Sequence, residues 1–200
     1  GTQVHIRRPQ RRNCSSNHSR NLVEPMTTQT NFFMGHEAIL SVIDGMATKL
    51  DQFLKNRERA DVAMIGIRTG GIWVAEHLHR ALDIDEPLGM IDISFYRDDF
   101  TRIGLNPEVR PSSIDFEVDD RHIVLVDDVL HTGRTIRAAL NEIFDYGRPR
   151  SVTLAALVER SGRELPVEAN VIGVEVTLQP QEQIKLTGPE TLELVIGTHR

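Results

Sequence analysis

Hydrophobic and polar positions follow two periods along this chain, and together they predict strands that alternate with helices. Runs of four to seven mainly apolar residues, rich in β-branched side chains, indicate strands buried on both faces of a parallel sheet. They occupy 61–67, 88–94, 123–126, 151–157 and 171–174, with further edge strands predicted at 184–186 and 192–196. Apolar residues at helical spacing over 33–53, 72–82 and 136–144 predict helices. This alternation predicts an α/β fold with a central, mostly parallel sheet flanked by helices.

The stretch Ile123–Thr135 (I-V-L-V-D-D-V-L-H-T-G-R-T) joins a predicted buried strand to a cluster of polar groups. Ligands of open α/β sheets bind beyond the carboxyl ends of the strands. The loop Thr132–Thr135 there offers backbone N–H groups, hydroxyls and a helix N-terminus to a phosphate. Asp127 and Asp128 suit ribose hydroxyls, directly or through a hydrated Mg²⁺. The alternative is a buried strand that ends in an acidic turn. No Walker A pattern occurs in the chain, which argues against an NTPase.

A second strand, loop and helix stands upstream of the first. The strand over 61–67 is followed by Arg68, Thr69, Gly70 and Gly71, and then by a predicted helix. On its own this is either an ordinary βα turn or a phosphate-binding loop. Beside the first site it becomes a candidate for binding a pyrophosphate group.

The strand over 88–94 leads into a long polar connection that reaches residue 120. Connections of this length without regular structure are usually functional or mobile. Arg97, near its start, is either a binding residue or a surface arginine paired with Asp98 or Asp99.

Composition and charge narrow the class of protein. Two hundred residues suit one domain, and the single cysteine, Cys14, excludes a disulfide framework within the chain. No apolar run approaches the length of a membrane span, so we expect a cytoplasmic protein. Residues 1–25 carry +4, which leaves −10 for 26–200. We therefore expect a disordered basic leader or upstream extension over 1–25, a single domain over 26–200, and no general attraction for nucleic acid.

The 123–135 stretch resembles the signature of the type I phosphoribosyltransferases, which use phosphoribosyl pyrophosphate (PRPP). Three more stretches are similar to the PyrR family of bifunctional pyrimidine operon regulators and uracil phosphoribosyltransferases. They are G-I-R-T-G-G-I-W-V-A, D-I-S-F-Y-R-D-D and L-V-E-R-S-G-R-E-L-P-V-E-A. The resemblance covers roughly residues 33–187. It implies the type I phosphoribosyltransferase fold, in which a small hood and a flexible loop accompany the central sheet.

The resemblance also implies a reaction: uracil and PRPP give UMP and pyrophosphate, with Mg²⁺ carried by PRPP and held through waters rather than by direct protein ligands. Asp127, Asp128 and Arg97 are the implied catalytic residues. The implied PRPP and nucleotide contacts are Arg68, Thr69, Gly70, Arg97, Asp127, Asp128, Val129, Leu130, His131, Thr132, Gly133, Arg134, Thr135 and Ile184. Implied partners are a second copy of the chain, in a homodimer or larger oligomer, and a pyrimidine-operon mRNA leader.

Three positions depart from the family pattern. His131 stands where the family often has tyrosine, and Gly70 where it commonly has arginine. Val174-Glu175 occupies a site that is usually basic and helps to bind RNA, which weakens the regulatory interpretation. Two alternatives stay open: another purine or pyrimidine phosphoribosyltransferase, or a purely regulatory, nucleotide-sensing RNA-binding protein.

Overall fold

A computed structural model describes residues 30–93 and 112–198. Along these residues, eight strands and three α-helices follow one another with a short 3₁₀ turn at Arg59–Asp61. The strands are β1 (Thr30–Met34), β2 (Val62–Ile67), β3 (Gly89–Ile91), β4 (His122–Leu130), β5 (Ser151–Arg160), β6 (Val171–Val176), β7 (Glu182–Thr187) and β8 (Glu193–Thr198). The helices are α1 (His36–Leu54), α2 (Gly70–Ala81) and α3 (Arg134–Tyr146).

The central sheet has five parallel strands in the order β3-β2-β4-β5-β6. Its strands are apolar on both faces because helices cover both, as predicted from the continuous apolar runs. Along β2, Val62 and Met64 join the apolar cluster of α1 and α2, whereas Ala63 and Ile65 join that of α3. The helices that follow β2 and β4 therefore lie on opposite faces of the sheet.

A second sheet, three-stranded and antiparallel, forms the hood in the order β1-β8-β7. The segment 192–196 was predicted to be an edge strand, but β8 is the middle strand of this sheet. The prediction missed β1, T-N-F-F-M, because the first helix was predicted to begin at Phe33, whereas α1 begins at His36. β1 has only five residues, and its Phe32 and Phe33 are both exposed, so its sequence shows too weak an alternation to indicate a strand. Pairing with β8 decides its conformation.

Two central strands run further than their apolar residues indicate. β4 continues through Asp127 and Asp128 to Leu130, and β5 continues through Glu159 to Arg160. Pairing extends the strands: Asp127 lies opposite Ala156 and Leu130 opposite Glu159 in the ladder between them. Polar residues at a sheet's carboxyl edge thus keep strand geometry despite an unfavourable pattern. Among the helices described, none combines the length and apolarity that crossing a membrane requires.

Candidate active site

The candidate site lies beyond the carboxyl ends of β2, β4 and β5. The chain adds β3 on one side of β2 and then returns to place β4 on the other side, so the connections diverge between β2 and β4. Crevices at such a switch point are where open α/β sheets bind ligands. The two loops singled out in the sequence, 68–71 and 131–135, follow these two neighbouring strands.

Asp127 and Asp128 have different surroundings although they are adjacent. Asp127 is fully buried, and its Oδ1 accepts a hydrogen bond from the backbone N–H of Asp128 at 3.0 Å. Asp128 is half-buried. Val129 is half-buried and packs against the α1–α2 cluster, while Leu130 is buried in the α3 cluster. The neighbouring apolar residues thus anchor the strand and leave the Asp128 side chain at the crevice.

The loop after β2 packs directly against the part of β4 that carries these carboxylates. A Cβ built on Gly70 would overlap the Asp128 carboxylate and lie 2.9 Å from its Cβ. A Cβ on Gly71 would lie 2.7 Å from the carbonyl oxygen of Val126. Thr69 is exposed at the start of α2, and the Arg68–Thr69 peptide bond is cis. Only residues without a side chain permit this approach of one loop to the other strand.

The candidate phosphate-binding loop 131–135 turns tightly into α3. Gly133 has φ +92°, a left-handed conformation that favours glycine, and it is the residue preceding the helix. The backbone N–H of Arg134 lies 3.3 Å from Thr132 Oγ1. Arg134 is exposed and its Nε donates to the Glu164 carboxylate at 2.8 Å, while Thr135 is half-buried in the first turn. The predicted loop therefore sits at a helix N-terminus, where backbone N–H groups lack partners within the helix.

Arg68 contacts the β3 side of β2 instead of the phosphate loop. Its Nε lies 3.7 Å from Oδ2 of Asp92, and its Nη2 lies 4.0 Å from the sulfur of Met90. The Arg68 guanidinium therefore interacts with Asp92 and Met90, next to the connection that starts after residue 93. Arg97, predicted to act in that connection, lies outside the described residues.

His131 opens the phosphate loop and lies between cationic groups. Burial, together with the charges of Arg160 and Arg163, lowers the pKa of His131 from its ordinary value of 6.5, although Glu164 opposes the shift. A Cβ on Gly162 would lie 2.8 Å from Nε2 of His131, so the ring covers that glycine. His131 is therefore neutral at pH 7 and adds no positive charge to the loop.

Arg160 is a side chain to which the sequence interpretation gave no role, although the resemblance implied that backbone groups near residues 158–160 contact the base. It ends β5 with only 8% of its surface exposed, and burial lowers the pKa of its guanidinium. Nη2 lies 3.4 Å from the carbonyl oxygen of Gln179, and Nε has no hydrogen-bond partner among the described residues. Glu159 separates Arg160 from the apolar run 154–158, and the two polar residues were read as the start of a polar loop.

Ile184, predicted to contact the base, lies in β7 and is 7% exposed. It belongs to the same apolar cluster as Val176, and Val129 of β4 packs against that cluster. The hood thus reaches the carboxyl end of β4, and Ile184 lies on the side of the hood that faces the central sheet.

These contacts bring three kinds of group to one edge of the sheet: two phosphate-type loops, a pair of carboxylates between them, and a buried guanidinium at the end of the next strand. Such an arrangement can bind two phosphate groups on either side of a polyhydroxylated sugar. The buried guanidinium of Arg160 can donate a hydrogen bond to a polar ring bound beneath the hood.

Comparison with known proteins agrees with this arrangement. Residues 34–189 match the model of the phosphoribosyl transferase domain family. The chain is 63% identical over 153 residues to the "Bifunctional protein PyrR" of Nitrosococcus oceani, covering 76% of this chain and 86% of that protein. It is 56% identical over 153 residues to the protein of the same name from Pseudomonas syringae pv. syringae, covering 76% and 90%.

Solved structures support the fold. A hypoxanthine-guanine phosphoribosyltransferase of Bacillus anthracis superposes with a TM-score of 0.60 at 17% identity, over 77% of this chain and 86% of that one. A hypoxanthine-guanine-xanthine phosphoribosyltransferase gives 0.54 at 20% identity, over 74% and 79%. The predicted fold and the predicted resemblance are both confirmed. The chain therefore belongs to the phosphoribosyl transferase domain family and, within it, to the bifunctional PyrR proteins.

Proposed function

We propose that this protein transfers the phosphoribosyl group of PRPP to uracil, giving UMP and pyrophosphate. The observation that carries the proposal is the contact between the loop after β2 and the carboxylates of β4: Gly70 lies against Asp128, and Gly71 lies 3.1 Å from the Cα of Asp127, measured from an added Cβ. This contact supports the proposal because it brings the loop after β2 against the carboxylates that precede the 132–135 loop, which is the order of pyrophosphate, ribose and 5′-phosphate in PRPP.

Each group has one role in the proposal. Thr69 and Gly70 bind the pyrophosphate, and Arg68 and Arg97 help to hold it. Asp127 and Asp128 hold the ribose hydroxyls. Thr132, Gly133, Arg134 and Thr135 hold the 5′-phosphate through backbone N–H groups and hydroxyls, at the N-terminus of α3.

Catalysis then depends on position and charge. Cleavage of the glycosidic bond to pyrophosphate passes through a transition state in which the ribosyl group resembles an oxocarbenium ion. In the proposal, positive charge develops on the ribose beside the buried carboxylate of Asp127 and its half-buried neighbour, and such fixed charges stabilise a transition state without reorganising. No covalent nucleophile is required, because the two loops fix both phosphate ends of the substrate.

The donor set also fits Mg²⁺. Hard divalent cations prefer oxygen ligands and usually keep several waters, and the two aspartates supply carboxylate oxygens beside a phosphate loop. Asp127 and Asp128 would hold such an ion through its waters, together with PRPP. When bound, the ion supplies positive charge to the leaving pyrophosphate.

Arg160 and the hood form the proposed base site. A buried guanidinium at the end of β5 can donate to a uracil carbonyl, and Ile184 offers an apolar surface under the hood. Buried polar groups discriminate strongly, since a base that lacks the matching acceptor leaves them unpaired.

The experiment is a comparison of four bases. Uracil, hypoxanthine, guanine and orotate are each incubated with the protein, PRPP and Mg²⁺, and the nucleotide product and pyrophosphate are measured. We expect UMP from uracil, with the other bases turned over poorly. Efficient turnover of hypoxanthine without UMP formation would move the assignment to a purine enzyme.

Binding of a pyrimidine-operon transcript is a second candidate function, favoured by the word "bifunctional" in the names of the relatives. The charge pattern opposes it. Glu175 is exposed and lies opposite Glu159 in the β5–β6 ladder, and Lys49 donates to the carbonyl of Ile172. RNA affinity depends largely on clustered cations. Arg137, Arg148 and Arg150, in or just after α3, are exposed and could still contribute to a patch, although Arg150 lies 3.5 Å from the Asp61 carboxylate.

We therefore expect weak specific RNA binding by a protein that begins at Met26. A gel-shift titration with a pyrimidine-operon leader RNA, with and without UMP at near-physiological salt, measures this. Nanomolar binding that UMP strengthens would contradict the expectation. Tight binding by the full chain alone would assign the interaction to the arginines of residues 1–25.

A further inference from the structure

A short segment downstream of β5, residues 163–167, closes over the phosphate loop; we call it the clasp. The backbone N–H groups of Glu164 and Leu165 both donate to the carbonyl of Thr132, at 3.1 and 3.0 Å. The clasp also packs on Gly133, since a Cβ added there would lie 3.3 Å from Cβ of Leu165 and 3.4 Å from Cβ of Val167. The clasp, about thirty residues later in the chain, thus packs against the phosphate loop at residues 132 and 133.

Arg163 anchors the clasp to two neighbouring strands. Its Nη1 donates to the carbonyl of His131, the first residue after β4, and its Nη2 donates to the carboxylate of Glu159 near the end of β5. The side chains of Arg163 and Glu159 are largely buried, with 23% and 25% of their surfaces exposed. Glu159 lies opposite Leu130 in the ladder, so the guanidinium joins the two strands at the point where the phosphate loop begins.

These bonds are made to carbonyl oxygens of the phosphate loop and not to its N–H groups. The loop carbonyls of residues 131 and 132 accept from the clasp, which turns the peptide groups of the loop in a fixed direction. A phosphate site made of backbone N–H groups depends on that direction, because each N–H must point at the same oxygen cluster. Misplacement of such a loop by as little as about 1 Å can cost on the order of a hundredfold in activity.

We propose that Arg163 is a positioning residue that preorganises the 5′-phosphate loop for the phosphate of PRPP. The role deepens the proposed function and rests on it for the identity of the ligand. Arg163 itself does not touch the ligand in this role; it acts through the carbonyl of His131 and the carboxylate of Glu159.

Arg121 provides a matched control at the opposite edge of the sheet. It too donates one hydrogen bond to a backbone carbonyl, of Ala60, and one to a carboxylate, of Glu86. The exposed fractions of the two side chains, 23% and 26%, match those of the Arg163 pair. Arg163→Met and Arg121→Met therefore remove the same kind of anchor, from the loop and from the far edge respectively.

Isothermal titration with ribose 5-phosphate and with pyrophosphate, in Mg²⁺, separates the two ends of PRPP. In R163M we expect affinity for ribose 5-phosphate and the KM for PRPP to worsen roughly tenfold or more, with kcat and pyrophosphate affinity changed far less. R163K should recover part of the loss, because it restores one donor to the carbonyl. R121M should bind both ligands like the parent protein.

Equal ribose 5-phosphate affinities for parent and R163M would overturn the proposal, as would parallel losses for both ligands or the same loss in R121M. Glu159→Gln keeps an acceptor and removes only the charge; if R163M does not fold, a weaker ribose 5-phosphate affinity in this variant supports the role and an unchanged affinity overturns it. A parent protein that makes no UMP but binds ribose 5-phosphate better than R163M would reject uracil as substrate and leave the positioning role standing.

Discussion

Gly70 lies so close to Asp128 that no side chain fits between them. A Cβ built on Gly70 would overlap the Asp128 carboxylate and lie 2.6 Å from its Cγ, whereas real Cβ contacts stay beyond 3.0 Å. The two residues are 58 positions apart: Gly70 begins α2, after β2, whereas Asp128 lies within β4. The family commonly has arginine at position 70, so an arginine here would require Asp128 to take another position.

Gly70→Ala should displace Asp128 and lower kcat/KM for PRPP by roughly 10- to 100-fold, because the carboxylate would leave its place beside the ribose site. Steady-state kinetics with uracil held saturating measure this. Gly45→Ala is the control: no heavy atom lies within 4 Å of a Cβ there, and alanine in the interior of α1 should stabilise the protein by about 0.5–1 kcal/mol. Kinetics of Gly70→Ala indistinguishable from the parent would show that the Asp128 position is unimportant.

Asp127→Asn and Asp128→Asn should each lower kcat/KM for PRPP by about two orders of magnitude or more, since an interaction that strengthens in the transition state is lost. In Asp127→Asn the new amide oxygen would still accept the backbone N–H now bonded to Oδ1, so the unfolding midpoint should change little. Asp119→Asn is a control at an exposed aspartate before β4, whose Oδ1 likewise accepts a backbone N–H, that of Arg148, at 2.6 Å. Full activity in both site variants would refute the role of the pair.

Arg160→Met should raise the KM for uracil and leave PRPP affinity nearly unchanged, because the guanidinium is assigned to the base and not to the phosphates. Loss of a hydrogen bond to a charged group costs roughly 1.5–3 kcal/mol, which corresponds to tenfold or more in KM. The free energy of unfolding should change little or rise, since a buried, incompletely paired cation is itself unfavourable.

Arg57→Met serves as control for Arg160→Met. Arg57 is a half-buried arginine that donates to Ser151 Oγ at 2.9 Å, at the amino end of β5. The Arg57→Met variant should have a lower free energy of unfolding and an unchanged KM for uracil. A rise in the KM for PRPP equal to that for uracil in Arg160→Met would show that Arg160 supports the site as a whole.

Acidification below pH 6.5 should destabilise the protein through its histidines. The pKa of His131 is lowered from 6.5 by burial and by Arg160, and burial lowers the pKa of His77 and of His122 in the same direction. The unfolded chain then binds protons more readily than the folded protein, so the loss of stability is absent above pH 6.5 and grows as pH falls toward the lowered values. Urea unfolding at pH 7.5, 6.5 and 5.5 measures it, and His131→Gln should make the dependence shallower.

Phosphate binding should act in the opposite sense on the same group. A dianion placed at residues 132–135 would raise the pKa of His131, because an opposite charge nearby favours the imidazolium. An NMR titration of the histidine ring protons with and without ribose 5-phosphate tests this. An unmoved His131 resonance would place the phosphate elsewhere.

The sequence by itself determined the class of fold and the two loops of the site. Continuous β-branched runs indicate strands buried on both faces, and their alternation with helical periodicity favours a parallel sheet that helices cover on both sides. Asp127-Asp128 and Thr132–Thr135 could be predicted as candidates because they lie at or just beyond the carboxyl end of one predicted strand, and the carboxyl ends of parallel strands share one edge. The order of the chain is enough for that inference.

Contacts between distant segments were decided only by the tertiary structure. No local pattern reveals that Gly70 meets Asp128, that residues 163–167 cover the phosphate loop, or that β8 is a middle strand. Arg160 illustrates the reason: its sequence neighbours suggest a solvated loop, whereas pairing with Val176 and the approach of Gln179 bury it. Burial of a polar side chain depends on which segments pack over it, and local periodicity carries no information about that packing.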